Sequence, residues 1–273
     1  TVSVSQASGQ TVSVEFSTAD GTAVSGILGA DYDPESGTLT FAPGVTLAQI
    51  RINTLNDQVF EHDEQFYLRF SDPVHVTLGD SEGIGTIGND DMKPVVKLLG
   101  PSEVSEPSDA VGYVDVTYTV TLSNPSSLPI HITYQTSDLA NGAVSGLDYE
   151  ASSGSLVFQA GETSKTFTVR VLSDRFDESN EPYLLTIQSS PNNEVTLSSG
   201  DSQVITTIVD HPEDLPPDLS VNDVTVLEGQ TAVFTVSLSQ ASGQTVSVQF
   251  STADGTAVSG ISGADYDPES GTL

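Results

Sequence analysis

Tyr113–Leu122 reads YVDVTYTVTL, and its alternation decides the fold. Val114, Val116, Tyr118, Val120 and Leu122 fall on one face, with Asp115, Thr117, Thr119 and Thr121 on the other. That period of two is the mark of a half-buried β-strand. Pro125 ends it. Downstream, 130–136 sets Ile130, Ile132 and Tyr134 against His131 and Thr133. Leu156 and Phe158 make a short strand that Gly161 turns, Phe167, Val169 and Val171 another, Tyr183, Leu185 and Ile187 a third, and 204–209 closes the set. Upstream, Val95–Leu99 opens after Pro94, and Val104-Ser105-Glu106 continues it. About seven antiparallel strands and no segment of helical period predict an all-β, immunoglobulin-like two-sheet sandwich. At roughly 110 residues such a unit buries an adequate core without covalent staples.

The unit recurs. Residues 1–39 and 235–273 align without gaps at an offset of 234, differing only at Val4/Leu238, Glu15/Gln249 and Leu28/Ser262. A more divergent copy lies halfway, at an offset of 117, where Gly29-Ala30-Asp31-Tyr32 meets Gly146-Leu147-Asp148-Tyr149 and Asp57, Glu61 and Glu64 meet Asp174, Glu178 and Glu181. The period is too long for a solenoid turn, so tandem sandwiches are expected. Residues 1–91 read as a repeat lacking its first strand, 95–211 as a complete one, and 218–273 as the N-terminal part of a third. The strand expected near 221–227 could also complete the first repeat of a neighbouring molecule, which would give head-to-tail self-association.

Between two strands of the first repeat lies 55–66, LNDQVFEHDEQF, echoed at 172–183 by LSDRFDESNEPY. Asp57, Glu61, Asp63 and Glu64 place four carboxylates in eight residues with no Lys or Arg among them. Carboxylates so crowded raise one another's pKa and oppose folding unless a cation holds them. A hard divalent ion, calcium before magnesium, is the expected occupant. Calcium takes roughly 6–8 oxygen ligands in adaptable geometry, which suits an irregular loop.

Composition narrows the field. The 273 residues carry 38 acidic and 7 basic side chains, a net charge of -31, which excludes nucleic acid or an anionic membrane as an obvious partner. There is no cysteine, so neither disulfides nor a zinc–thiolate site can form. No apolar run reaches the ~18 residues of a membrane span, so no membrane insertion is expected in this segment.

Four elements together resemble the Calx-beta family of calcium-binding sandwich modules. In the first repeat they are GADY at 29–32, GTLTFAPG at 37–44, the run from Asp57 to Glu64, and Asn89-Asp90-Asp91. The resemblance implies calcium ligands at Asp31, Asp57, Glu61, Glu64, Asp90 and Asp91, with the backbone carbonyl of Val59. In the second repeat it implies Glu106, Asp148, Asp174, Glu178, Glu181 and Asp210, and in the third Glu228 and Asp265. Two departures from the family pattern stand out. Asn56 and Ser173 occupy a place where strong family sites carry an acid, and His211-Pro212 follows Asp210 where further acids would stand. Weaker or fewer ions are therefore expected in the second repeat, down to a single one.

Competing readings are weaker on their residues. The acids could form a salt-adapted surface, but they gather at one loop while the adjoining strands carry few charges. Asp31-Tyr32-Asp33-Pro34-Glu35 fails as an EF-hand because Gly37 falls at the seventh position and Ala42 replaces the bidentate Glu. His62 reads as solvent-facing rather than as a transition-metal ligand. No nucleophile elbow is present, and paired carboxylates for glycoside hydrolysis would lack any Trp to stack a sugar, so no enzyme is expected. The expected role is a non-catalytic segment of a large extracellular or cell-surface bacterial protein, in adhesion, whose joints calcium stiffens. The alternatives are a module recognising a carbohydrate or protein at the cell surface, and a passive spacer in a secreted enzyme.

Overall fold

The computed structural model describes residues 1–27, 29–189 and 195–273, and among these every regular element is a β-strand. The middle repeat is a complete sandwich. One sheet has the order Ser153–Phe158, Ile130–Asp138, Glu181–Ser189, Gln203–Val209, Glu103–Ser105. The other runs Ser164–Leu172, Tyr113–Leu122, Val95–Leu99, Thr196–Leu197. Val96, Leu98, Val116, Val120, Val169 and Val171 of the second sheet join Ile132, Tyr183, Leu185, Ile187 and Ile208 of the first in one buried cluster. The inward face of Tyr113–Leu122 is the one its alternation marks, with Val116, Tyr118, Val120 and Leu122 all buried.

Two pairings depart from an all-antiparallel sandwich. Glu103–Ser105 lies parallel to Gln203–Val209, and Thr196–Leu197 parallel to Val95–Leu99. The opening strand causes the first. It runs in one sheet to Leu99, breaks at Gly100-Pro101, and crosses to the opposite sheet at Glu103. Pro101 has no N–H to extend the first ladder. A Cβ on Gly100 would stand 2.3 Å from Cδ1 of Tyr118, so only glycine lets the chain pass the core at that point. The crossing carries Glu106 to the acidic end of the sandwich, where its side chain is buried at 7% exposure.

A hydroxyl chain spans the core beneath the crossing. Thr206 Oγ1 donates to the Pro101 carbonyl at 2.8 Å, and its oxygen lies 2.6 Å from Tyr118 Oη, itself 2.7 Å from Tyr183 Oη. The threonine has one hydroxyl proton and gives it to Pro101. Tyr118 therefore donates to Thr206, and Tyr183 donates to Tyr118.

In the first repeat the strands order as Ser36–Phe41, Val12–Asp20, Glu64–Val74, Glu82–Ile87, with Val2–Ser3 paired to Leu47–Ala48. The third repeat forms two pairs, Leu219–Val221 with Val236–Leu238 and Gln249–Ser251 with Ser270–Thr272. The half-sandwich leaves apolar side chains open: Phe250 is 42% exposed, whereas its equivalent Phe16 is only partly exposed in the first repeat.

Candidate metal centre

The site is assembled at one end of each sandwich by three devices. The first is the Gly-x-Asp-Tyr turn. Val24 N donates to Asp31 Oδ2 at 2.7 Å, Val144 N to Asp148 Oδ2 at 2.6 Å, and Val258 N to Asp265 Oδ2 at 2.9 Å, the same turn in all three repeats. The adjoining tyrosine anchors it. Tyr32 and Tyr149 are buried and donate to Asp20 and Asp138, and each stacks on an aromatic at the start of the strand that follows the acidic loop. Those partners, Phe66 and Tyr183, stand two residues beyond Glu64 and Glu181. Packing in the core thus sets the distance between Asp31 and Glu64, and between Asp148 and Glu181.

The second device is the acidic loop itself. Asp57 Oδ1 accepts from Val59 N at 2.8 Å and Asp174 Oδ1 from Phe176 N at 2.8 Å, so each aspartate closes its own turn with one oxygen and keeps the other. The third is the chain leaving the last strand. Glu61 N donates to Asn89 Oδ1 at 3.1 Å, and Glu178 N to Asp210 Oδ1 at 3.3 Å. Asn89 and Asp210 are therefore equivalent, and His211 and Pro212 occupy the places of Asp90 and Asp91.

These devices bring most of the expected ligands together. Carboxylate oxygens of Asp31, Glu61 and Glu64 lie within 4.8 Å of one another, as do those of Asp148, Asp174 and Glu178. A third group within the same distance joins Glu106 and Asp210 to Asp214, a residue that motif spacing did not single out. Glu181 lines the same cleft as Glu106, Asp148, Asp174, Glu178 and Asp210. Asp57, Asp90 and Asp91 stand around the first cluster without entering its tightest group, though Asp57 and Asp91 both act on the charge of Glu61. Val59 is held in the Asp57 turn. Glu228 and Asp265 are exposed and belong to neither repeat's cluster.

The donors are carboxylate oxygens with amide and backbone oxygens at hand, a hard set that fits Ca²⁺ and offers nothing to a soft metal. Their electrostatics call for a cation. Burial, then the charges of neighbouring carboxylates, pushes Glu64 and Glu178 up to about 7. Glu106 also rises to about 7, with burial the main cause, although Asp174 N donates to its Oε1 at 2.6 Å. Glu61, Glu181, Asp91, Asp210 and Asp214 move up as well, burial leading in each case.

A consequence for stability can be measured. A carboxyl raised in the folded chain holds more protons folded than unfolded between its ordinary value of 4.5 and about 7. Stability therefore falls as pH rises through that window. Asp20, Asp138 and Asp254, which hydrogen bonds hold low, act below it. In chelator, the urea midpoint should decline from pH 4.5 to 7; a midpoint that climbs over this range would contradict the assignment.

The same loops make the joints between repeats. Phe60, between Val59 and Glu61, is buried at 7% exposure against the next repeat. Its N–H donates to the Pro125 carbonyl at 3.0 Å, and Ser127 N donates to its carbonyl at 3.0 Å, a one-residue β-bridge across the joint. The equivalent of Phe60 is Asp177, and the equivalent of 125–127 is 241–243, since Ser126 and Ser242 accept the same backbone bond, from Leu128 N and Gln244 N. There Ser242 Oγ donates to the Asp177 carbonyl at 3.4 Å and Gln244 Nε2 to its carboxylate at 3.2 Å. Both joints use the same two loops, the first through backbone bonds and an aromatic plug, the second through side chains.

Comparison with known proteins agrees with this architecture. The Calx-beta domain matches at residues 1–87, 89–212 and 218–273. Sodium/calcium exchanger 1 of Bos taurus is 32% identical over 198 residues, covering 65% of this chain and 19% of the exchanger. Sodium/calcium exchanger 2 of Rattus norvegicus is 29% identical over 193 residues, covering 63% and 20% respectively. The chain thus spans about a fifth of the length of these relatives. Among solved structures, CBD12 from CALX1.2 aligns at 23% identity and a TM-score of 0.35, covering 73% of this chain and 88% of that one. The family match takes in all three repeats, and the chain belongs to the Calx-beta domain family.

Proposed function

We propose that this chain is a calcium-binding, non-catalytic array whose ions sit at the end of each sandwich and govern how firmly one repeat is held to the next. The observation that carries this reading is the convergence of half-buried carboxylates on a loop that also makes the joint. Glu61 and Glu178 are at once members of the acidic clusters and immediate neighbours of the joint residues Phe60 and Asp177. In the first repeat, Asp31, Glu61 and Glu64 would hold the ion, with Asp57, Asp90, Asp91 and the Val59 carbonyl around them. In the middle repeat, Asp148, Asp174, Glu178 and Glu181 would do so, with Glu106 and Asp210.

The bound ion supplies positive charge to clusters whose own members are all carboxylates. Without it, the carboxylates repel and the loop loses its fixed shape, and the joint built on the loop loosens with it. In the third repeat, Glu228 and Asp265, the latter held in the same turn as Asp31 and Asp148, would be the contributing carboxylates. The wider role that fits is a stiffened spacer in an extracellular or cell-surface protein engaged in adhesion. The relatives by name are sodium/calcium exchangers, and the match covers about a fifth of their length through the Calx-beta domain.

Small-angle scattering in calcium and in chelator tests the proposal. Calcium should narrow the distribution of interatomic distances across the array and raise no new association state. Superimposable profiles under the two conditions would overturn the coupling of ion to joint.

A further inference from the structure

Away from the acidic tip, the middle repeat carries a second concavity, a cleft of about 280 Å³ on the outer face of its five-stranded sheet. Three neighbouring strands build it. Thr133 and Gln135 come from Ile130–Asp138, Ser153 from Ser153–Phe158, and Thr186 and Gln188 from Glu181–Ser189. Between these outward side chains, the backbone of Tyr134 and Gly154 forms the floor. The Tyr134 ring turns the other way and stacks on Phe167 inside the sandwich, at 3.9 Å between centroids. We propose that this cleft is a binding site for a neutral saccharide, held by the carboxamides of Gln135 and Gln188 and the hydroxyl of Ser153.

Three observations carry the assignment. First, the cleft is lined without a single charge, on a chain whose net charge is -31. A ligand there meets only hydroxyls, carboxamides and peptide groups, while the field of the whole chain repels an anionic sugar. Second, the hydrogen-bonding groups are divided between structure and opening. Thr133 and Thr186 donate to the backbone carbonyls of Gln188 and Gln135, at 3.5 and 3.3 Å. The side chains of Gln135, Gln188 and Ser153, by contrast, have no hydrogen-bond partner among the described residues. Each carboxamide offers two donors and an acceptor side by side, the complement of adjacent sugar hydroxyls that both accept and donate.

Third, the first repeat shows that the sheet does not require this lining. Strand register puts Glu15, Ser17, Ser36, Arg69 and Ser71 at the places of Thr133, Gln135, Ser153, Thr186 and Gln188. There Glu15 accepts from Thr38 at 2.8 Å, and Arg69 is paired with Glu82 at 2.8 Å. The middle repeat thus exchanges both charges for threonine and two serines for glutamine, on a sheet of the same pairing. A peptide strand fits the cleft poorly, because Ile130–Asp138 and Glu181–Ser189 are each paired on both sides and present no open edge for it to join.

Saturation-transfer NMR on the full chain tests this, with cellotriose, maltotriose, mannotriose and chitotriose offered in turn. The method suits the weak binding expected of a cleft with no aromatic plate. At least one of these sugars should receive saturation from the protein, equally in calcium and in chelator, which separates the cleft from the acidic tip. Gln135→Ala with Gln188→Ala should weaken that binding by about tenfold, the effect of removing two hydrogen-bonding groups. Thr133→Glu with Thr186→Arg should weaken it as well, and it installs only residues that the first repeat carries at those places on the same kind of sheet. No transfer to any of these sugars would overturn the proposal. So would transfer that is undiminished in either double variant, or transfer that disappears in chelator.

Discussion

A chain carrying Asp57→Ala, Glu61→Ala, Asp174→Ala and Glu178→Ala is expected to melt at the same temperature in millimolar calcium as in chelator. The unaltered chain should melt higher in calcium. Selective binding to the folded form stabilises it by about 2.7 kcal/mol per site when the free ion stands at a hundred times its dissociation constant. Two occupied repeats would together gain about twice that, a large part of a small domain's whole stability. Glu61, Asp174 and Glu178 belong to the clusters, Asp57 stands beside the first, and all four lie on the joint-bearing loops. A second sign comes from the two glutamates alone. In chelator a chain carrying only Glu61→Ala and Glu178→Ala should be no less stable than the parent at pH 7, because burial disfavours the charged form of both. An undiminished calcium-induced rise in melting temperature would refute the assignment of these side chains.

Tyr183→Ala should lower the unfolding free energy of the middle repeat by about 3–5 kcal/mol, the range for deleting a buried aromatic ring. Tyr183 is fully buried, stacks on Tyr149 at 4.6 Å between centroids, and donates the first hydrogen bond of the chain through Tyr118 and Thr206. Its loss opens a cavity at the root of both Asp148 and Glu181, so calcium affinity should fall together with stability. Tyr113→Ala provides the comparison. That ring is 45% exposed and lies over the Arg170 guanidinium at 3.9 Å, so its removal should cost about 1 kcal/mol or less. Denaturant midpoints read the difference, and equal losses for the two substitutions would contradict the core assignment.

Much of this architecture is legible in the residues. Period-two alternation in Tyr113–Leu122 and Phe167–Val169–Val171 identifies strands because burial on one face leaves no other pattern. The repeats are legible because 1–39 and 235–273 differ at only three places. The acidic loop stands out because, at 57–64, four carboxylates crowd into eight residues with no Lys or Arg among them. What alternation cannot express is the change of sheet at Gly100-Pro101, since both halves of that strand read alike and only the Tyr118 ring beside Gly100 enforces the break. Asp214 escapes motif spacing for a related reason. Its approach to Glu106 and Asp210 depends on a turn across a proline-rich linker, and motif spacing does not encode such a turn. The joint role of Phe60 is hidden too, because an aromatic inside an acidic loop declares its partner only when the following repeat is in place.

The β-bridge from Phe60 to Ser126 also gives the array a direction. Each tip addresses the repeat that comes after it and never the one before, so neighbours are ordered like links that hook only one way. The hook recurs 117 residues on, at Asp177, and its eye 116 on, at Ser242, but the second joint is fastened by side chains where the first uses backbone bonds. Adding or removing a repeat would therefore keep the direction of the array while changing how a given joint is fastened.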